Sequence, residues 1–156
     1  MPGLKAAFAG VLGGLLLIII FEVLIIFGLV PFEVIPVRRF LEQIGLEITV
    51  LAYLLGLLCG VFWSLVMVFI LHNNTSWRWG FALGVIIWLG FIFVGAPLAG
   101  WGILGFEISG PAIEATGFLL FTLLAYILYG SFLGFLNNRW VYFDTGVEEE
   151  ISNYRE

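Results

Sequence analysis

Charge is missing from four long stretches of this chain, and that absence limits what it can fold into more than any other feature. Between Lys5 and Pro31 the only charged residue is Glu22, and between Glu47 and His72 there is none. Trp79 to Phe106 and Ala115 to Asn138 are likewise uncharged. A hydrocarbon core of roughly 30 Å is crossed by about 20 apolar helical residues, so each stretch is long enough to span it. Of the 156 residues 62% are hydrophobic and 11% charged, against about a quarter charged in soluble domains. The chain reads as an all-α membrane protein, a four-transmembrane-helix bundle forming a single membrane domain over 1–156.

The expected spans are Leu4–Val30, Ile48–Leu71, Trp79–Ala96 and Pro111–Leu136. Pro97 lacks an amide hydrogen and crowds the preceding turn, so the third helix should kink or end there. Leu98–Gly105 then reads as a short re-entrant or interfacial stretch carrying Trp101. The first run is about twice the usual signal-peptide core and no Ala-x-Ala-like site follows it, so it reads as a retained span. Lys5, Arg78, Arg139 and Arg155 fall on one side of a four-span topology, and Arg38 and Arg39 on the other. The positive-inside rule then places both termini in the cytoplasm of a prokaryotic inner, plasma or internal membrane. On that side the Asn73-Asn74-Thr75-Ser76 stretch is a polar turn rather than a glycosylation site.

The first outer loop holds a short amphipathic helix. Pro36 suits a first helical turn and Gly45 a helix stop. Between them Val37, Phe40, Leu41 and Ile44 follow i, i+3, i+4, i+7 spacing, opposite Arg38, Arg39, Glu42 and Gln43. That face suits the membrane surface or a partner subunit.

Two halves of the chain echo each other. Phe8-Ala9 recurs as Phe81-Ala82 and Leu51-Ala52-Tyr53 as Leu124-Ala125-Tyr126; 81 − 8 and 126 − 53 are both 73. Phe32-Glu33 and the pair Gly56/Gly60 recur at 74, as Phe106-Glu107 and Gly130/Gly134. The pattern describes a tandem repeat, about 1–73 and 74–146, of two parallel-related helical hairpins, followed by an acidic tail at 144–156. Each span also carries glycines four apart: Gly10/Gly14, Gly56/Gly60, Gly80/Gly84 and Gly130/Gly134. In lipid, where no hydrophobic drive joins apolar helices, such faces allow close backbone contact.

Candidate chemistry is sparse. Glu22, about 6 Å from the middle of the first run, is either a proton or cation site or a neutral acid bonded to a neighbouring helix. Glu33, Glu42, Glu47, Glu107 and Glu114 join it on the outer side as an acidic rim, with Glu114 favoured by the dipole of its own helix. Trp77, Trp79, Trp140, Tyr142 and Trp101 fit aromatic belts. Trp63 and Trp88 lie deeper, where an indole N–H wants a partner, and with His72 they are candidate contacts for a pigment, quinone or lipid tail. Cys59 is the sole cysteine and reads as a packing residue. No metal cluster, phosphate loop or nucleophile elbow is present in the sequence, and no histidine lies near Ser64, Ser131, Thr116 or Thr122 to act as base. No catalytic residues, no enzymatic activity and no nucleic-acid partner are expected.

The stretch Leu4-Lys5-Ala6-Ala7-Phe8-Ala9-Gly10 and the fourth-span stretch Tyr126-Ile127-Leu128-Tyr129-Gly130 resemble the YagU-like group of small four-helix bacterial and archaeal membrane proteins. Related sequences often carry a histidine where Tyr126 stands. The resemblance implies a membrane bundle and carries over no functional residues. The leading functional reading is a noncatalytic integral membrane subunit packed against other membrane subunits or itself. A small proton- or cation-linked transporter or channel using Glu22 is the alternative. A pigment-, quinone- or lipid-binding protein is the further one.

Overall fold

The structure, a computed structural model, describes residues 2–71, 76–105 and 112–142. His72, the Asn73–Thr75 turn, Glu107 and the acidic tail lie outside the described residues, as does the Glu114 side chain. The described elements are helical throughout: α1 (Pro2–Ile26), α2 (Pro36–Gln43), α3 (Thr49–Leu71), α4 (Trp77–Gly90), α5 (Ala96–Leu98) and α6 (Ala112–Asn137). A π-helical turn, Phe91–Gly95, joins α4 to α5, and a second, Asn138–Tyr142, extends α6. Among the described residues four helices are long and apolar enough to cross a membrane: Gly3–Ile26, Thr49–Ile70, Trp77–Leu98 and Thr116–Trp140. This is an integral membrane protein built as a four-helix bundle.

Helix ends are set by glycine. Gly28 has φ +64°, and Leu29 N–H donates to Leu24 C=O at 2.9 Å while Gly28 N–H donates to Ile25 C=O at 3.0 Å. That Schellman cap stops α1 at Ile26 instead of the expected Val30. Gly45 (φ +81°) closes α2 in the same way, as its position in the sequence indicates. Pro97 does not end the third span. The chain widens one turn earlier, where Ala96 N–H reaches Phe91 C=O, so the proline sits in a last short turn that Gly100 (φ +72°) terminates.

The bundle consists of two hairpins. In the first, a methyl group at Gly10 would lie 2.5 Å from Val61 Cα, one at Gly14 3.1 Å from Leu57 Cα, and one at Gly60 2.8 Å from Gly14 Cα. Gly56 meets only a side chain there, with Ile18 Cδ1 3.1 Å from an added methyl. In the second, a methyl at Gly80 would run into Gly130 C=O, and one at Gly84 into Tyr126 C=O. A methyl at Gly130 would lie 2.7 Å from Gly84 Cα, and one at Gly134 would lie 2.5 Å from Ser76 C=O and 3.0 Å from Gly80 Cα. All eight glycines read as packing residues therefore pair as two crossings, α1 on α3 and α4 on α6.

The crossings have matching registers, but not the register of the sequence echo. Gly10 and Gly80, Gly14 and Gly84, Gly56 and Tyr126, and Gly60 and Gly130 play corresponding parts and differ by 70 in each case. The sequence echoes differ by 73 or 74, so the contact register is displaced from them by about one helical turn. The sequence echo matches Gly56/Gly60 with Gly130/Gly134, whereas the contacts follow the other register. Gly60 corresponds to Gly130, and Gly134 corresponds to Ser64, so Gly134 has no glycine counterpart in the first hairpin. The physical reason is that α4 starts abruptly at Trp77, which brings the Ser76 carbonyl against Gly134 and leaves no space there for a side chain.

The hairpins meet chiefly through α1 and α6, while α3 and α4 make no substantial contact. The α6 window is 44% buried and that of α3 only 17%, which makes α6 the centre of the bundle and α3 its most lipid-facing member. Phe8 stacks on Trp140 with centroids 5.8 Å apart, so the start of α1 and the close of α6 share one end, the terminal end. Trp77 and Trp79 are exposed there, as an aromatic belt requires. At the opposite end α2 lies over α3. Val37 and Leu41 turn inward onto the core, Phe40 and Ile44 face outward, and Gln43 Nε2 donates to Ala99 C=O at 2.9 Å. Trp101 does not face lipid. It is 2% exposed and stacks on Phe32 at 4.7 Å, because the chain after α5 folds back over the core.

Candidate functional site

Since α3 and α4 stand apart, a lateral groove of about 480 Å³ opens between the hairpins. Gly14, Leu17 and Phe21 of α1, with Tyr126 and Tyr129 of α6, form its floor. Gly56, Cys59 and Trp63 line it from α3, and Ile87, Gly90, Phe91 and Val94 from the α4 side. Ile35, Pro36 and Val37 close it at the α2 end. Gly90 leaves room on the α4 side, where a methyl would meet nothing within 4 Å. The π-helical turn brings Phe91 and Val94 into the same wall, a placement common for such turns at functional sites.

Three polar groups stand in this apolar lining. Tyr129 is 1% and Tyr126 7% exposed, and Trp63 is half-buried. Neither phenol hydroxyl nor the Trp63 indole N–H has a hydrogen-bond partner among the described residues. A buried hydroxyl left unpaired costs about 1–3 kcal/mol, and lipid provides no water to relieve it. Tyr126 lies in an aromatic wall, 5.3 Å from the Phe91 centroid and 5.8 Å, edge-on, from that of Phe21.

The buried polar side chains Ser64, Thr122 and Asn137, by contrast, are paired. Trp88 Nε1 donates to Thr122 Oγ1 at 3.1 Å, and that hydroxyl donates to Phe118 C=O at 2.7 Å. Trp88 is thus a structural donor, away from the groove that Trp63 lines. Ser64 Oγ donates to Ala6 C=O at 2.6 Å, and Asn137 Nδ2 donates to Ser64 Oγ at 3.0 Å, tying α1, α3 and α6 together near the terminal end.

Glu22 is not close to the midplane. With α1 ending at Ile26, the centre of Gly3–Ile26 falls beside Gly14, and Glu22 lies roughly 11 Å away at 1.5 Å per residue. There Tyr53, in the second turn of α3, donates to Glu22 Oε1 at 2.7 Å. A second cavity, about 430 Å³, opens at the α2 end beside Phe32, Glu33, Trp101 and the α2 charges. In it Arg38 Nε sits 3.0 Å and Arg39 Nη1 3.5 Å from the Glu42 carboxylate. Glu22 lines neither cavity. No cluster of three or more metal-ligating side chains occurs among the described residues.

Of the deep tryptophans read as candidate contacts, Trp63 lines the groove and Trp88 does not, and Tyr126 and Tyr129 beside Trp63 are not among the sequence candidates, their one signal being a phenol hydroxyl placed mid-span. No protein-family model, curated protein or solved structure matches the chain.

Proposed function

We propose that this is a noncatalytic membrane protein that holds an elongated lipidic molecule in the groove between its two hairpins. The observation that carries the reading is the groove itself, apolar, about 480 Å³, and at bilayer depth. Ligand sites commonly occupy about 300–1,000 Å³. A 20-residue helix, 30 Å long and at least 10 Å wide, fills on the order of 2,000 Å³. The groove suits a ring or chain rather than a partner helix. In this reading both termini are cytoplasmic, following Lys5, Arg78 and Arg139 at the terminal end against Arg38 and Arg39 at the other, and the hairpins descend from one duplicated unit.

Brominated fatty acid in detergent micelles tests this through tryptophan fluorescence. Saturable quenching should appear, and the quenched fraction should fall when Trp63→Phe is made. Quenching that rises linearly with bromine and ignores Trp63 would refute the groove as a site.

A second reading, a subunit of a larger membrane assembly, is favoured by the outward apolar face of α2, where Phe40 is 37% and Ile44 57% exposed. Gentle native purification should then recover further subunits, and a stable lone monomer would count against it. The geometry gives the transport reading less support, since Glu22 is paired with Tyr53 outside both cavities.

A further inference from the structure

The depth of the unpaired donors narrows what the groove accepts, given the lipid-binding reading above. Tyr126 and Tyr129 bracket the centre of the Thr116–Trp140 span, within about 3 Å of it along the helix. Cys59 marks the centre of Thr49–Ile70, and Trp63 lies four residues further. The donors therefore sit near the bilayer midplane. Glycerolipid ester carbonyls lie at the edge of the hydrocarbon core, about 15 Å from that plane, so they cannot meet these hydroxyls while the headgroup stays in water. A plain hydrocarbon chain reaches the right depth and offers no acceptor.

We propose that the groove binds an alkyl- or prenyl-tailed quinone. Such a molecule carries ring carbonyls into the middle of the membrane by itself. Its carbonyl oxygens would accept from the Tyr126 and Tyr129 hydroxyls and the Trp63 indole. Its flat ring suits a wall built by Phe21, Phe91 and Tyr126, where offset and edge-on ring contacts are favourable. The tail leaves between α3 and α4, where the groove opens to lipid and Gly90 offers no side chain. No redox step is assigned to the protein. It supplies donors and a shaped apolar surface, and the quinone keeps its own chemistry.

The test titrates detergent-solubilised protein with a decyl-substituted benzoquinone and, separately, with a brominated fatty acid, following tryptophan quenching. Tyr126→Phe, Tyr129→Phe and the double variant keep ring volume, and gel filtration with thermal unfolding shows that each is folded. Losing one neutral hydrogen bond should weaken quinone binding about fivefold per hydroxyl and leave fatty-acid binding unchanged. Infrared difference spectra should show the quinone carbonyl stretch lowered on binding, and less so in the double variant. If fatty acid binds but the quinone binds no better, or both tyrosine variants bind it as wild type, the quinone assignment is wrong and the groove reading survives. If neither probe binds saturably, both fall.

Discussion

The Tyr53 hydroxyl donates to Glu22 Oε1 at 2.7 Å, fastening the beginning of α3 to the last turn of α1. Hydrogen bonds between membrane helices average about 0.6 kcal/mol, and those to charged groups are worth about 1.5–3 in general. Both side chains are only partly buried, so a coupling of about 0.5–1.5 kcal/mol is expected from a Tyr53→Phe, Glu22→Leu double-mutant cycle read by unfolding in mixed micelles. A coupling of zero would remove the bond as a structural feature. Glu22→Gln keeps an acceptor and should lose less. In proteoliposomes it should leave any cation flux unchanged, and flux that depends on Glu22 would restore the transport reading.

The glycine crossings leave no room for a methyl group that backbone would have to accommodate. At Gly130 the added carbon would press on Gly80 C=O and lie 2.7 Å from Gly84 Cα, neither of which can rotate away. Gly130→Ala should therefore destabilise by about 1–3 kcal/mol, in the range of overpacked cores, and Gly130→Leu by more. Gly117 is the control, because a methyl there meets nothing within 4 Å. Gly117→Ala should be neutral or slightly stabilising by helix propensity. Equal effects at the two positions would mean that α4 and α6 do not cross where described.

How much of this is readable from sequence depends on how local each feature is. The glycine faces are legible because a small residue every fourth position is a property of one helix, and its meaning in lipid is nearly unique. Which glycine answers which is not legible, since the one-turn displacement that sets Gly134 against Ser76 and Gly80 arises only when two helices meet. The end of α1 is hidden because hydropathy runs on through Phe27, Leu29 and Val30, while the stop is a backbone conformation at Gly28. Trp63 and Trp88 look alike in sequence. They part company only because Thr122 arrives opposite Trp88 from another helix. Tyr126 and Tyr129 acquire meaning only when α3 and α4 fail to close over them, which depends on how the two hairpins meet.

Near the terminal end Ser64 and Asn137 form a buried pair, both 0% exposed. Removing the Asn137 amide strands the Ser64 oxygen without its donor, although Ser64 still donates to Ala6 C=O. Asn137→Leu should lower stability by about 1–2 kcal/mol. Ser64→Ala should cost a similar amount, and the double variant less than the sum of the two. Strict additivity in chemical unfolding would show that the two side chains act independently.

The ion pairs on α2 should matter little. Arg38 and Arg39 side chains are 41% and 47% exposed, and both reach the same Glu42 carboxylate. Exposed pairs of this kind contribute about 0–1 kcal/mol and fade with salt. Glu42→Gln is expected to shift stability by under about 0.5 kcal/mol, less still at high ionic strength. A larger, salt-resistant loss would mean that this carboxylate does more than pair with the two arginines.

Cys59 is the single cysteine of the chain, and it is exposed on the groove wall near mid-span. A nitroxide can therefore be attached there without any mutation. In liposomes, a label facing hydrocarbon collides often with dissolved oxygen, which partitions into lipid, and rarely with a charged nickel chelate, which stays in water. High oxygen and low chelate accessibility are the expected result. A label exposed to water would show the reverse and would move the groove out of the bilayer. An occupant seated between α3 and α4 should then lower oxygen accessibility at this label. The same occupant should leave a label at Leu120 unaffected, because Leu120 is exposed on α6 and lines neither cavity.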